Sequence, residues 1–309
     1  MHIVSADQFS VGDIDEIFES AARMKKTLAT VGGREKLAKK YPGRQVATLF
    51  YQPSTRTRLS FETAALKLGM GVVGTEAAMA FSSAAKGETI EDTVRVLNQY
   101  QLDAIVIRYH EVGGAKRAAA VSSVPIINAG DGPGEHPTQS LLDAYTIKAS
   151  HGRLSGLKVV MGGDLKFSRT VRSLCYVLSK YKDNHIVFVS IPDFQIPKDV
   201  TDNLKRTDTS FELTTDMSKA FADADVVYWT RLQKEYLKDA KQLPKGGLVI
   251  DKQSLKLMPK HTIIMHPLPR VDEITTDVDS DHRAKYFEQA GNGLYIRMAL
   301  FDGIMNGRA

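Results

Sequence analysis

Residues 54 to 58 read Ser-Thr-Arg-Thr-Arg, so hydroxyls and guanidinium groups crowd into consecutive positions immediately after Gln52-Pro53. At the start of a helix such a set suits the holding of a phosphate-like anion. The first turn leaves backbone N–H groups without acceptors, the helix dipole is positive there, and an arginine fork binds two oxygens at once. Ser54 reads as the N-cap, and Arg56 with Arg58 would sit where the dipole disfavours cations, which argues for an anion between them. Further along, His136 and Gln139 are spaced to share one helical face. A neutral imidazole at a helix start can donate a hydrogen bond to a carbonyl. Arg169, Arg231 and Lys234 are cations suited to carboxylates. Each has an ordinary alternative, namely a capped helix with arginines in water, a solvated cap histidine or a charged surface loop; the density of donors is what favours a site.

The elements that must position these residues are legible in the apolar pattern. A run at 46–51 predicts a strand, and Leu59, Phe61, Ala64, Ala65 and Leu68 predict the apolar side of the helix that follows. Before them, Ile14, Phe18, Ala21, Met24 and Leu28 mark an amphipathic helix expected to end before Gly32-Gly33. Short strands are expected near Val72 and over 103–108 and 124–129, separated by helices from Thr89 and from Ala115. The small-residue stretch 77–88 reads as a loop. Strand, helix, strand units imply a parallel sheet whose ligands lie at the carboxyl ends of the strands, where Arg56, Arg108 and the residues after Ala129 fall.

The turn-rich run Gly130 to Pro137 marks the expected domain boundary. After it the alternation restarts, with strands over 157–161, 185–191, 211–214, 226–229, 248–250 and 262–265, and helices between. A C-terminal helix from about residue 281 is expected to break or kink near Gly291-Asn292-Gly293. The fold class is therefore α/β, two doubly wound parallel-sheet domains with a C-terminal helix packing back on the first. The first domain is assigned to 1–134 with 292–309, the second to 135–291. Gly162-Gly163 follows a strand and opens a helix, yet it lacks the spacing of a dinucleotide-binding loop.

Composition narrows the class. The chain has 309 residues, 43% hydrophobic and 25% charged, as in a soluble globular protein with room for two domains. A net charge of +5 without a Lys/Arg run is explained by small anionic ligands and argues against nucleic acid. The single cysteine, Cys175, lies in an apolar run and reads as a buried, inert thiol. Neither a secretory leader nor a membrane-length apolar stretch is evident, so a cytoplasmic protein is expected. The histidines show no metal-ligand spacing, and neither a metal nor another cofactor is implied.

Ser54 to Glu62 resembles the carbamoyl phosphate signature of the aspartate and ornithine carbamoyltransferases, and Ala129 to Asp143 resembles a second motif of that family, Ala-Gly-Asp-Gly followed by His-Pro-Thr-Gln and Leu-Leu-Asp. Gly163 to Val171, Thr230 to Glu235 and His266 to Arg270 are similar to segments of the aspartate enzymes; position 267 is Pro, where ornithine enzymes carry a cysteine. The resemblance covers nearly the whole chain. It implies carbamoyl transfer from carbamoyl phosphate to L-aspartate in pyrimidine synthesis, with an ornithine enzyme as the alternative.

Carried over, Arg56, Thr57, Arg108 and His136 are the catalytic set. Ser54, Thr55, Gln139, Leu268 and Pro269, the last two through a cis peptide, join them on carbamoyl phosphate. Arg169, Arg231 and Gln233 take aspartate. Ser82 and Lys86 are lent to the adjacent subunit of a homotrimer, although Ala85 stands where a well-studied member has a second lysine. A separate regulatory chain is a further possible partner. Ordered binding, phosphate substrate first, is expected, and neither nucleic acid nor membrane is a partner.

Overall fold

The computed structural model describes residues 1–81, 83–232 and 248–307. The chain separates into two compact units, Met1–Leu141 with Gly291–Ala309, and Leu142–Ala290.

The first unit is built on four parallel strands, β1 (Gln45–Phe50), β2 (Gly71–Glu76), β3 (Ala104–Tyr109) and β4 (Ile126–Asp131), in the order β2-β1-β3-β4. β1 and β3 are buried and mostly apolar because both faces are covered, as parallel sheets require. Helices α1 (Val11–Leu28), α2 (Val31–Ala38), α3 (Thr55–Lys67), α4 (Ala78–Phe81), α5 (Ile90–Leu97) and α6 (Gly114–Val121) connect or flank these strands. Ala47, Ile105 and Ile107 of the sheet, Ile90 and Val94 of α5, and Ala115 and Ala118 of α6 close one core cluster.

α7 (Pro137–His151) follows β4. The second unit holds five parallel strands, β5 (Lys158–Gly162), β6 (His185–Val189), β7 (Ser210–Thr214), β8 (Val226–Trp229) and β9 (Ile263–Met265), in the order β7-β6-β5-β8-β9. Helices α8 (Arg169–Leu178), α9 (Lys198–Arg206) and α10 (Met217–Phe221) make the crossovers. Phe221 and Trp229 pack edge to face at 5.6 Å within a cluster that includes Val160, Val187, Ile264 and Tyr286. Cys175 is fully buried beside Met161, and burial pushes its thiol well above the ordinary cysteine range.

The last helix, α11 (Tyr286–Met305), returns its C-terminal half to the first unit. There the Arg297 guanidinium lies 4.8 Å above the Phe61 ring, Phe61 meets Phe301 edge to face, and Asp302 takes Lys40 and the Tyr41 hydroxyl. The doubly wound sheets and the returning C-terminal helix are as the apolar pattern predicts.

Local expectations fail where tertiary context decides. α1 ends at Leu28, before Gly32-Gly33 as expected, but the two glycines then lie inside a further helix, α2, whose Thr30 cap accepts the Gly33 N–H at 3.1 Å. The stretch after β2 folds into short helical turns, Ala78–Phe81 and Ser83–Lys86, instead of an open loop. No strand forms at 248–250; Ile250 makes only an isolated bridge to Ile274. α11 runs unbroken through Gly291 to Gly293.

Candidate active site

In the first unit the predicted anion-binding residues converge on the carboxyl ends of adjacent strands. β1 runs out into 51–54 and α3, β3 carries Arg108 at its penultimate position in register with Phe50, and β4 leads to His136 and α7. The Tyr51 N–H donates to the Arg108 carbonyl at 2.9 Å, tying the first two exits together. His136 is 3% exposed, with the Thr138 hydroxyl 3.5 Å from its Nδ1. Gln139 is half-buried one turn into α7, its N–H on the His136 carbonyl at 3.0 Å.

The turn before His136 is clamped from both sides. Asp131 accepts the Glu135 N–H at 2.7 Å and the Gly113 N–H at 2.9 Å, while the Glu135 carboxylate accepts the Ser5 hydroxyl and the Ala6 N–H. The buried histidine is thus held in a fixed turn rather than acting as a solvated cap.

The Ser-Thr-Arg-Thr segment differs from the capping expectation. Ser54 occupies the N-cap position of α3 but its side chain makes no capping bond. Among the described residues the hydroxyls of Ser54, Thr55 and Thr57 and the guanidinium of Arg56 take no hydrogen-bond partner, although Thr57 is only 8% exposed. Buried polar groups in native proteins are nearly always bonded. The helix start is therefore left open by its own side chains.

Arg58 does not share that site. Its Nε donates to Glu62 Oε1 at 2.8 Å and its Nη1 to Glu76 Oε2 at 2.6 Å, so its charge is taken up within the protein. The Glu62 hydrogen bond heads the contacts that raise its pKa, whereas partial desolvation alone lowers that of Arg56. The expectation of two arginines around one anion is corrected to one, Arg56. Leu59 also points outward, 53% exposed, and the buried side of α3 is carried by Phe61, Ala64, Ala65 and Leu68.

In the second unit the residues predicted for the other substrate follow the adjacent strands β5, β8 and β9. Gly162 and Trp229 are register partners, and the Thr230 N–H donates to the Gly162 carbonyl at 2.9 Å. The loop leading to Arg169 and the loop carrying Arg231 therefore emerge side by side; Arg169 is half-buried and Arg231 exposed. A Cβ at Gly163, whose φ is +95°, would lie 2.0 Å from the Thr230 carbonyl oxygen. These glycines serve close strand packing instead of a dinucleotide loop.

Beyond β9 the Leu268–Pro269 peptide is cis, as the resemblance implies, and Leu268 adopts φ +55°. Its N–H donates to His266 Nδ1 at 2.8 Å, and His266 Nε2 lies 2.7 Å from Glu273 Oε1. Leu268 is half-buried and Pro269 exposed.

Lys86 ends a short helical turn and is exposed. Ser82, Gln233 and Lys234 lie outside the described residues. The sequence reading missed three groups that hold the start of α3, Thr48, Glu62 and Glu76. The i,i+4 spacing of Arg58 and Glu62 was a usable signal; the approach of Glu76 depends on strand register and was not. Among the described residues no group of three or more His, Cys, Asp or Glu is placed to hold a metal, and no helix is long and apolar enough to cross a membrane.

Two parallel α/β units, each gathering cations at adjacent strand exits, define a class of α/β proteins that meet anionic small molecules at sheet ends. The chain belongs to the aspartate/ornithine carbamoyltransferase family: residues 1–149 match the carbamoyl-P binding domain and residues 155–304 the Asp/Orn binding domain. It is 48% identical to the chloroplastic aspartate carbamoyltransferase of Oryza sativa subsp. japonica, over 99% of this chain and 85% of that one. The catalytic subunit of M. jannaschii aspartate transcarbamoylase superposes with a TM-score of 0.90 at 42% identity, covering 99% and 98% of the two chains. Aspartate transcarbamoylase from Trypanosoma cruzi, solved in complex with carbamoyl phosphate and aspartate, gives 0.89 at 36%, covering 97% and 94%.

Proposed function

We propose that this chain transfers the carbamoyl group of carbamoyl phosphate to the amine of L-aspartate, yielding N-carbamoyl-L-aspartate and phosphate for pyrimidine synthesis. The observation that carries the reading is the open start of α3, where the side chains of Ser54, Thr55, Arg56 and Thr57 present donors that nothing among the described residues takes. The relatives favour aspartate over ornithine, and so does charge: Arg169 and Arg231 suit a dicarboxylate, whereas an ammonium side chain needs an acid.

In the reaction the aspartate nitrogen attacks the carbamoyl carbon while the carbon–oxygen bond to phosphate breaks. The phosphate leaves with the electron pair and accepts the proton the amine must lose, so no side chain has to act as general base. Ser54, Thr55, Arg56 and Thr57 hold the phosphate. Thr57, Arg108 and His136 stabilise the charge growing on the carbamoyl oxygen, Gln139 and the Leu268–Pro269 backbone hold the carbamoyl end, and Arg169, Arg231 and Gln233 hold aspartate. A preorganised donor of this kind typically contributes about 3–4 kcal/mol to the transition state.

The segment 1–134 with 292–309 then serves as the carbamoyl phosphate domain and 135–291 as the aspartate domain, with carbamoyl phosphate binding first. A cytoplasmic homotrimer sharing its sites through Ser82 and Lys86 completes the reading. It is supported by solvent-facing Leu59 and Leu66 on α3 and Val73 on the edge strand β2, apolar side chains suited to contact with another copy. Archaeal relatives named as catalytic subunits support a separate regulatory chain as a partner. Carbamoyl transfer measured with L-aspartate and L-ornithine in parallel, beside a native mass, tests the whole; transfer to ornithine alone would overturn it.

A further inference from the structure

Glu76 ends the edge strand β2 opposite Phe50, the last residue of β1, so the parallel register carries its carboxylate to the loop through which β1 enters α3. Both of its oxygens are used there. Oε1 accepts the Ser54 N–H at 3.2 Å, the backbone donor of the N-cap residue, and Oε2 accepts Arg58 Nη1 at 2.6 Å. In a capping box a glutamate from the helix's own first turn accepts the N-cap N–H; here that acceptor comes from a neighbouring strand. The other side of Arg58 is held by Glu62, whose Oε1 also accepts the Thr48 hydroxyl at 2.9 Å. These side chains are only part-exposed, 28% for Arg58, 18% for Glu62 and 35% for Glu76. Arg56, two residues before Arg58, has no carboxylate partner among the described residues.

We infer that Glu76 is a positioning residue of the anion cradle: it pins the N-cap backbone and draws Arg58 out of the cradle, leaving Arg56 as the cation that meets the phosphate. The inference deepens the proposed function and rests on it for the identity of the anion. Glu76 touches no substrate in this scheme and acts through the N-cap backbone and Arg58.

The test is calorimetric titration of the full chain with inorganic phosphate, together with steady-state kinetics, for the wild type, Glu76→Ala and Glu76→Gln. Loss of a group that orients a ligand-binding residue commonly weakens binding by about tenfold or more. Glu76→Ala is expected to weaken phosphate binding by about that factor and to raise the carbamoyl phosphate KM in parallel, with the L-aspartate KM and kcat within about twofold of wild type. Glu76→Gln keeps an acceptor for the Ser54 N–H and is expected to recover most of the phosphate affinity, and it serves as the informative variant should the alanine form fail to fold. Wild-type phosphate affinity in Glu76→Ala would overturn the inference. So would an equal loss of phosphate affinity, aspartate KM and thermal stability that Gln does not relieve. A wild-type protein that binds phosphate but transfers nothing to aspartate would sink the transferase reading and leave the phosphate titration as the test of Glu76.

Discussion

His266 and Glu273 meet at 2.7 Å, Nε2 to Oε1, with their side chains 1% and 3% exposed. Because Nδ1 accepts the Leu268 N–H, the ring proton in this arrangement is on Nε2, and the histidine donates to the carboxylate. The second oxygen of Glu273 accepts the Val271 and Asp272 N–H groups at 3.1 and 3.2 Å. The turn carrying the cis Leu268–Pro269 peptide is thereby fastened to one buried acid.

Glu273→Gln should therefore be far from neutral despite its matching shape. If its amide oxygen faces the Val271 and Asp272 N–H groups, its NH2 faces the His266 Nε2–H, donor against donor. Shifting the ring proton to Nδ1 would then oppose the Leu268 N–H. Leaving a buried polar group unsatisfied costs about 1–3 kcal/mol, which urea unfolding would register as a lower midpoint with an unchanged slope. Carbamoyl phosphate KM should rise as well, since Leu268 is proposed to touch that substrate. An unshifted midpoint would refute the hydrogen-bond assignment.

Arg56→Ala should lower kcat by about two to three orders of magnitude, the usual effect of removing a preorganised donor to developing charge. Since Arg56 is exposed and bonds nothing among the described residues, the melting temperature should stay within a few degrees. Arg58→Ala should differ in kind, because it strands Glu62 and Glu76 and loosens the loop: thermal stability falls together with phosphate affinity. The two variants compared by melting and by kinetics separate the binding arginine from the structural one, and matching behaviour would contradict that division.

The contrast between these arginines also marks what the chain made readable. The β-α alternation was visible because buried parallel strands are apolar on both faces and the crossover helices carry helical spacing. The strand exits followed, and with them the neighbourhoods of Arg56, Arg108, His136, Arg169 and Arg231. Residues joined by register stayed hidden: Glu76 reaches Arg58 only because β2 pairs with β1, and Ile250 bridges Ile274 instead of extending a strand. Gly291 to Gly293 gave no break in α11 because tertiary packing overrode propensity. Phe301 on Phe61 and Asp302 on Lys40 hold its end.

Substrate choice should turn on the second unit. Arg169→Ala and Arg231→Ala should each raise the L-aspartate KM by about tenfold or more, the loss of one charge-assisted hydrogen bond being worth about 1.5–3 kcal/mol. Inorganic phosphate should bind with unchanged affinity, since neither residue belongs to the cradle proposed in the first unit. Neither variant should gain transfer to L-ornithine, because removing a cation does not supply the acid an ammonium group requires. Phosphate affinity falling as far as aspartate affinity would show that the division of labour is wrong.

Acid should destabilise the protein through carboxylates held below their ordinary pKa, among them Glu273 and Asp281. Glu273 is pushed up by burial, the largest single effect, but the hydrogen bond from His266 and those from backbone N–H groups together draw it down further, for a net pKa below its ordinary 4.5. Asp281, hydrogen-bonded by Arg283, is drawn from 3.8 to about 2. A folded-state pKa below the unfolded one means that the unfolded chain binds more protons in between. The stabilisation is therefore complete above the unfolded value and is lost as pH falls through the folded one. Stability should hold near neutrality, begin to fall below about pH 4.5 as the unfolded form of Glu273 takes up protons, and keep falling toward pH 2 as Asp281 follows. Asp281→Asn should remove about 1 kcal/mol at pH 7 after allowance for solvent screening, and much less near pH 2, where the wild-type carboxylate is itself largely protonated. Urea midpoints at pH 7, 4 and 2.5 check this, and a deficit in Asp281→Asn that grows as pH falls would contradict the sign.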